Sequence, residues 1–300
     1  MMKRKLNSEK IFRSFAFVVL LILAIVCILP IILIIVASFT DETTLLANGY
    51  RFFPQKYGLE AYVYLLKQSV MMLRAYKISI LVTVIGTLAS LVLSTTFAYP
   101  LSRKDFKYRN IFSFLVFFTM LFSGGIVPSY MMWTKFFHIK DTIWALIIPS
   151  YLMNAFNILL IRNYYSNNIP DALVEAARID GASEFLTFRR VIVPLSVPVI
   201  ATVGLFTGLA YWNDWINGLY YINDPGLYSI QNLLIRLMNN IQYLNSGAAA
   251  GIVSGGTTGA LPSTSVRMAI AVVGVIPVVA AYPFLQKYLI RGTVIGAVKG

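Results

Sequence analysis

Charge is what this sequence has least of. Lys, Arg, Asp and Glu supply 12% of its 300 residues, against 58% hydrophobic, where soluble domains carry about 25% charged residues. That excludes an ordinary soluble globular protein and points to a polytopic membrane protein built as one bundle of spans. The single cysteine, Cys27, lies inside an apolar run, so neither an intrachain disulfide nor a cysteine metal cluster can form. His138 is the only histidine, and no G-x-x-x-x-G-K-[S/T] run occurs, so the chain does not cradle ATP phosphates by that route. No polar stretch is long enough to hold a soluble active site. These absences argue against an enzyme, a bound metal or a cofactor in this chain. The net charge of +13 does not require nucleic acid, because membrane proteins gather Lys and Arg in cytoplasmic loops beside anionic lipid.

What is present is a succession of apolar runs. Five cations precede the uncharged run from Ser14 to Thr40. That run exceeds the ~20 residues that cross a bilayer and is too long for a cleaved leader, so it reads as a first span with the N-terminus inside. Further spans are expected at about 78–102, 110–134, 142–161, 191–213 and 268–286. This gives an all-α protein of six transmembrane helices with both ends cytoplasmic. Between the spans lie a polar loop at 162–190 and a long outer segment at 216–266. Inner segments so defined hold 16 Lys and Arg and outer ones 9, as the positive-inside rule asks. Gly86 and Ser90, one turn apart in the second span, suit a close helix–helix contact.

Three places break the apolar pattern. Ser123, Gly124 and Gly125 precede Pro128 and interrupt the third span; irregular backbone at membrane depth needs protein or a water-filled cavity around it, so this is either a pathway element or a kink. Asn154 and Asn157, three apart and preceded by Tyr151, share a helical face and serve either as interhelical glue or as substrate contacts. Trp212, Asn213 and Asp214 close the fifth span, as interfacial anchors or as the ring-plus-polar chemistry that holds sugars.

The polar block from Pro170 to Pro198 is the most informative stretch. Pro170 suits a helix start, Asp171 and Glu175 the positive end of its dipole, and Gly181 a left-handed helix end. Ser183 then caps a second helix. Leu173, Ala176, Ala177 and Asp180 share one small, mildly apolar face, with Glu175 and Arg178 at its rim. By periodicity alone this helix fits a groove on a partner or the bilayer surface.

Glu175-Ala176-Ala177, then Asp180-Gly181-Ala182-Ser183, Phe188, Val193-Pro194 and Pro198, resemble the "EAA" loop of the permease subunits of bacterial ATP-binding-cassette importers. Ala98-Tyr99-Pro100-Leu101-Ser102-Arg103 resembles the second-span end of carbohydrate permeases. Met120 to Tyr130 resembles a subgroup linked to oligosaccharides from complex polysaccharides. Tyr282 to Tyr288 and Gly296-Ala297-Val298-Lys299-Gly300 resemble the ending of the maltose-permease type.

The resemblance implies a bacterial plasma-membrane importer. This subunit would pair with a second, unlike permease above two ATPase subunits, which bind the ATP and Mg. An extracellular binding protein would deliver an oligosaccharide. Residues 171–180 would be the coupling helix. The tail with Gly296, Val298, Lys299 and Gly300 would reach the ATPase dimer, and loop 244–265 would probe the binding protein. Asp214 stands where the family often has Glu. A stand-alone secondary transporter or channel, which would place charges inside the spans, and a membrane scaffold are the alternative classes.

Overall fold

The apolar runs and their flanking caps produce helices throughout. The computed structural model describes residues 2–245 and 264–297, and among these there is no strand, only an isolated bridge between Thr40 and Tyr57. The helices are α1 (Met2–Ser38), α2 (Glu42–Asn48), α3 (Glu60–Lys67), α4 (Ser69–Ser102), α5 (Arg109–Leu121) and α6 (Ile126–Met131), which continues as a π turn over Met132–Phe136. Then come α7 (Trp144–Ile147), α8 (Ala155–Asn168), α9 (Asp171–Ile179), α10 (Glu184–Thr187) with a π turn over Phe188–Ile192, and α11 (Val193–Leu195). The chain ends with α12 (Val197–Trp212), α13 (Ile216–Tyr221), α14 (Ile230–Asn245) and α15 (Thr264–Ala297).

Backbone contacts divide the chain into two units, Met1–Ser69 with Arg236–Ile276, and Val70–Ile235 with Pro277–Gly300. In the first, the most apolar 18 residues within Phe12–Ser38 of α1 include no buried residue, and only Ala37 and Ser38 at the end of the run are buried. The Glu42 carboxylate accepts hydrogen bonds from the amides of Thr264 (2.9 Å) and Ser265 (2.8 Å), satisfying the free N–H groups at the start of α15.

The second unit has two apolar clusters. One gathers Tyr99, Leu101, Ile161, Tyr165, Val174, Ile192 and Val203; the other gathers Val82, Leu146, Ile147, Tyr211 and Ile222. α4 and α12 approach closely because Gly86 has no side chain: a Cβ there would stand 2.6 Å from the Tyr211 ring. Ser90, also on α4, is fully buried and donates to the Tyr151 carbonyl at 3.1 Å. The small-residue reading of Gly86 and Ser90 thus corresponds to real contacts.

The span boundaries differ from the sequence expectation. α1 and α4 are each long and apolar enough to cross a membrane; α4 starts nine residues before the expected 78. The third expected span, 110–134, is broken. α5 and α6 meet at 114° across Phe122–Gly125, where Phe122 is extended and Gly125 has φ +81°. Pro128 sits harmlessly in the first turn of α6.

The fourth, 142–161, is not one helix. Pro149 lacks a donor, Ser150 takes φ +70°, and a new helix begins only at Ala155 and runs to Asn168, into the expected loop. The fifth turns by 80° at Ser196, between Pro194 and Pro198, so the straight part is Val197–Trp212 rather than 191–213. The expected outer segment contains the amphipathic α14, which buries Ile230, Leu233, Leu234, Leu237 and Ile241. The expected sixth span lies within α15, which holds Pro277 and Pro283 and extends to Ala297.

Candidate functional site

α9 is short, and its ends are fixed by local chemistry. Pro170, in extended conformation, precedes it; Asp171 opens it and Arg178 lies in its last turn, both matching the helix dipole. It ends in a Schellman motif: the Ala182 amide donates to the Ala177 carbonyl (2.9 Å) and the Gly181 amide to the Arg178 carbonyl (3.0 Å), with Gly181 at φ +78°. Ser183 Oγ then accepts from the Leu186 amide at 3.3 Å and starts α10. This is the hinge expected from Gly181 and Ser183.

The faces of α9 divide sharply. Val174 is buried beneath it and Ala177 is half-buried, while Leu173, Glu175, Ala176 and Asp180 are exposed, as are Gly181 and Ser183 beyond its end. Ala182 is half-buried. Ile179 is 86% exposed and Phe185, one turn past the hinge, 71%. Leu173, Ile179 and Phe185 thus leave apolar side chains exposed on an otherwise polar stretch. Ile179 and Phe185 were not among the expected face residues; their position follows from the Schellman turn, which the spacing of Leu173, Ala176 and Ala177 does not reveal.

Arg178, placed at the rim of this face by the sequence, makes its charged contacts within the chain. Its guanidinium lies 2.5 Å from Asp105 Oδ2 and 2.7 Å from Glu184 Oε1. The other oxygen of Glu184 accepts from the Tyr99 hydroxyl at 2.6 Å. At the opposite end of α9, Asp171 meets Lys104 Nζ at 2.8 Å and Arg103 at 3.5 Å. Each carboxyl is held below its ordinary range: Asp105 first by the hydrogen bond from Arg178, Asp171 by that from Lys104, Glu184 by that from Tyr99. Tyr99, Asp105 and Glu184 carried no role in the sequence reading; 85 residues separate Tyr99 from Glu184, and no short-range pattern joins them.

The expected pathway residues fall elsewhere, and most are consumed in packing. Asn154 is not on a helical face but is the N-cap of α8, its Oδ1 accepting from the Asn157 amide at 3.2 Å. Asn157 is buried and donates to Thr207 Oγ1 on α12 at 3.1 Å, the interhelical alternative. The backbone of the broken stretch 147–151 finds its donors in side chains: Tyr211 Oη to Ile147 O (2.8 Å), Ser90 to Tyr151 O, and Asn217 Nδ2 to Pro149 O (3.4 Å). Irregular backbone in a span is stable only with such partners.

The Tyr151 ring meets Tyr211 edge-on at 5.3 Å. Trp212 is buried against Tyr76, and Asp214 is buried with both oxygens on Asn217, so neither faces outward for a ligand. Asn213 is exposed, as are Ser123, Gly124 and Gly125 at the 114° break. Gly296 lies near the end of α15, while Val298, Lys299 and Gly300, and residues 246–263 of the expected outer loop, lie outside the described residues. No cluster of metal-ligating side chains occurs among the described residues.

Residues 90–294 match the family model described as "Binding-protein-dependent transport system inner membrane component". The polygalacturonan/rhamnogalacturonan transport system permease protein YtcP of Bacillus subtilis is 38% identical over 98% of this chain and 100% of its own. Protein LplC of the same organism is 38% identical over 92% of this chain and 90% of its own. Among solved structures, a chain of a bacterial ABC transporter involved in the import of the acidic polysaccharide alginate superposes with a TM-score of 0.76 at 29% identity, covering 94% of this chain and 97% of that one. The chain therefore belongs to the binding-protein-dependent inner membrane component family, and is a multi-pass permease subunit of an ABC importer.

Proposed function

We propose that this permease carries oligosaccharides bearing uronate groups, working as one of two unlike permease subunits above a pair of ATPases and beneath an extracellular binding protein. The observation that carries the coupling part is the α9 corner, where a capped hinge presents Leu173, Ile179 and Phe185 to solvent beside exposed Glu175 and Asp180. In this reading that face docks in a groove of one ATPase, and closure of the ATPase dimer around ATP and Mg swings the spans between inward-facing and outward-facing forms. The chain is read as one permease domain of six spans with both termini cytoplasmic: α1, α4, the two bent pairs, and the shorter α8 and apolar part of α15. The tail from Gly296 to Gly300 reaches toward the ATPases. Support for an acidic sugar comes from the end-to-end likeness to YtcP and from the alginate importer's fold. The exposed break at Ser123–Gly125, with Asn213, is the part of this subunit available to line the route.

The test is affinity purification of this chain from its host in mild detergent, followed by mass determination of what accompanies it. A stoichiometric second permease and two ATPase copies are expected. In proteoliposomes with the binding protein, oligogalacturonate is expected to stimulate ATP hydrolysis, and arabino-oligosaccharide is not. Purification of the chain alone would overturn the importer assembly; stimulation by the neutral sugar only would overturn the uronate assignment.

A further inference from the structure

Both ends of α9 are tied to the same short stretch, the inner end of α4 and the residues after it. At the N-terminal end Asp171 meets Arg103 and Lys104; at the C-terminal end Arg178 meets Asp105. Arg178 is the only cation between residues 171 and 187. Its Nη2 lies 2.5 Å from Asp105 and 2.7 Å from Glu184, and its Nε donates to Glu184 at 2.8 Å. Glu184 continues the chain to Tyr99, which is 8% exposed, sits on α4, and packs its ring 5.4 Å from that of Phe188.

Against these polar ties, the apolar anchoring of α9 is slight, since Val174 is its one buried side chain. A nine-residue helix held by one valine has little to stop it rolling or sliding under load. A guanidinium bridging two carboxylates is directional, which a point charge is not. The network therefore fixes orientation where packing does not.

Resting on the coupling reading above, we propose that the chain Tyr99–Glu184–Arg178–Asp105 makes α9, α10 and the end of α4 move as one body. Arg178 is then a positioning residue for the transfer of ATPase motion into α4. The competing view is that these half-exposed ion pairs decorate a solvated corner and contribute nothing measurable, as many surface pairs do.

The test uses the full complex of this chain with its second permease, ATPase pair and binding protein in nanodiscs. A Cys27→Ser background carries spin labels at Lys107→Cys and Arg189→Cys, two exposed positions on either side of the network. With Arg178 intact, the distance between labels is expected to be the same in the nucleotide-free and ATP–vanadate-trapped complexes. With Arg178→Gln it should change on trapping, and the ratio of binding-protein-stimulated to basal ATP hydrolysis, with oligogalacturonate as the probe, should fall at least about tenfold. Arg178→Lys, which keeps the charge but not the fork, should recover part of that ratio.

A wild-type distance that changes on trapping, or an Arg178→Gln complex that keeps both distance and ratio, overturns the proposal. Should Arg178→Gln fail to assemble, Tyr99→Phe and Glu184→Gln take its place with the same expectation and the same overturning result. Failure of oligogalacturonate to stimulate the wild type would count against the sugar, leaving the distances to decide the linkage. Absence of any bound ATPase would remove the coupling reading, and this proposal with it.

Discussion

Two regions of the same unit use polar residues in opposite ways. Around the break at 148–154, Ser90, Tyr211 and Asn217 give their donors to backbone carbonyls freed by Pro149, and Asn157 bonds to Thr207. Every one of these groups is satisfied inside the chain, and the region presents closed packing. At the α9 corner the polar groups also pair internally, but they do so beneath a face that leaves Ile179 and Phe185 in solvent. Polar residues in a span are thus no guide to a transport route by themselves, because a broken helix needs them first. Exposed apolar side chains on a corner whose charges are already paired are the better candidates for contact with a partner.

The comparison breaks most visibly at the hinge. Gly181→Asp puts a side chain on a residue at φ +78° and a charge beside the exposed face, and should lower binding-protein-stimulated ATPase and uptake at least about tenfold while leaving the protein's melting temperature close to wild type. A large loss of thermal stability instead would mean that Gly181 serves the fold rather than the docking face.

Next in size is the closed region. Gly86→Ala drives a methyl group against a Tyr211 ring that is anchored through its hydroxyl, and should cost about 1–3 kcal/mol, read as a lower melting temperature of the solubilised complex. Asn157→Ala strands the Thr207 hydroxyl and should cost about 1–2 kcal/mol without altering the order in which different sugars stimulate hydrolysis. A changed sugar preference would return Asn157 to the transport route.

The smallest expected effect is with pH. Asp105, Asp171 and Glu184 have depressed carboxyl pKa values in the folded protein. A depressed group contributes stability that is present above its unfolded value and lost as pH falls through its folded value. Taking 3.8 and 4.5 as the ordinary values, the stimulated-to-basal ratio should be flat from about pH 8 down to about pH 5. A decline centred between these limits would show that some other group governs the corner.

Much of the corner was legible from residue order. Pro170, Gly181 and Ser183 act through backbone conformation and hydrogen bonds a few residues away, so a local pattern carries them. α14 was not read from the sequence: Ile230, Leu233, Leu234, Leu237 and Ile241 have helical spacing, but the polar residues between them left the stretch within the long outer segment. Asn154 was misread because one asparagine before a helix and one inside it look alike when the helix start is placed too early. The Tyr99–Glu184 bond has no local trace.

The sequence by itself determined that this chain is helical and lies in a membrane, where one hinge falls, and which family it resembles. These depend on composition, on turn chemistry and on a motif contained in about 24 residues. Only the tertiary structure decided that the expected third, fourth and fifth spans are bent or broken, that Asn157, Trp212 and Asp214 face inward, and that Arg178 is already paired. The physical reason is that a donor in a span or a charge at a corner takes whichever partner folding brings within about 3 Å, and here those partners lie tens of residues away along the chain.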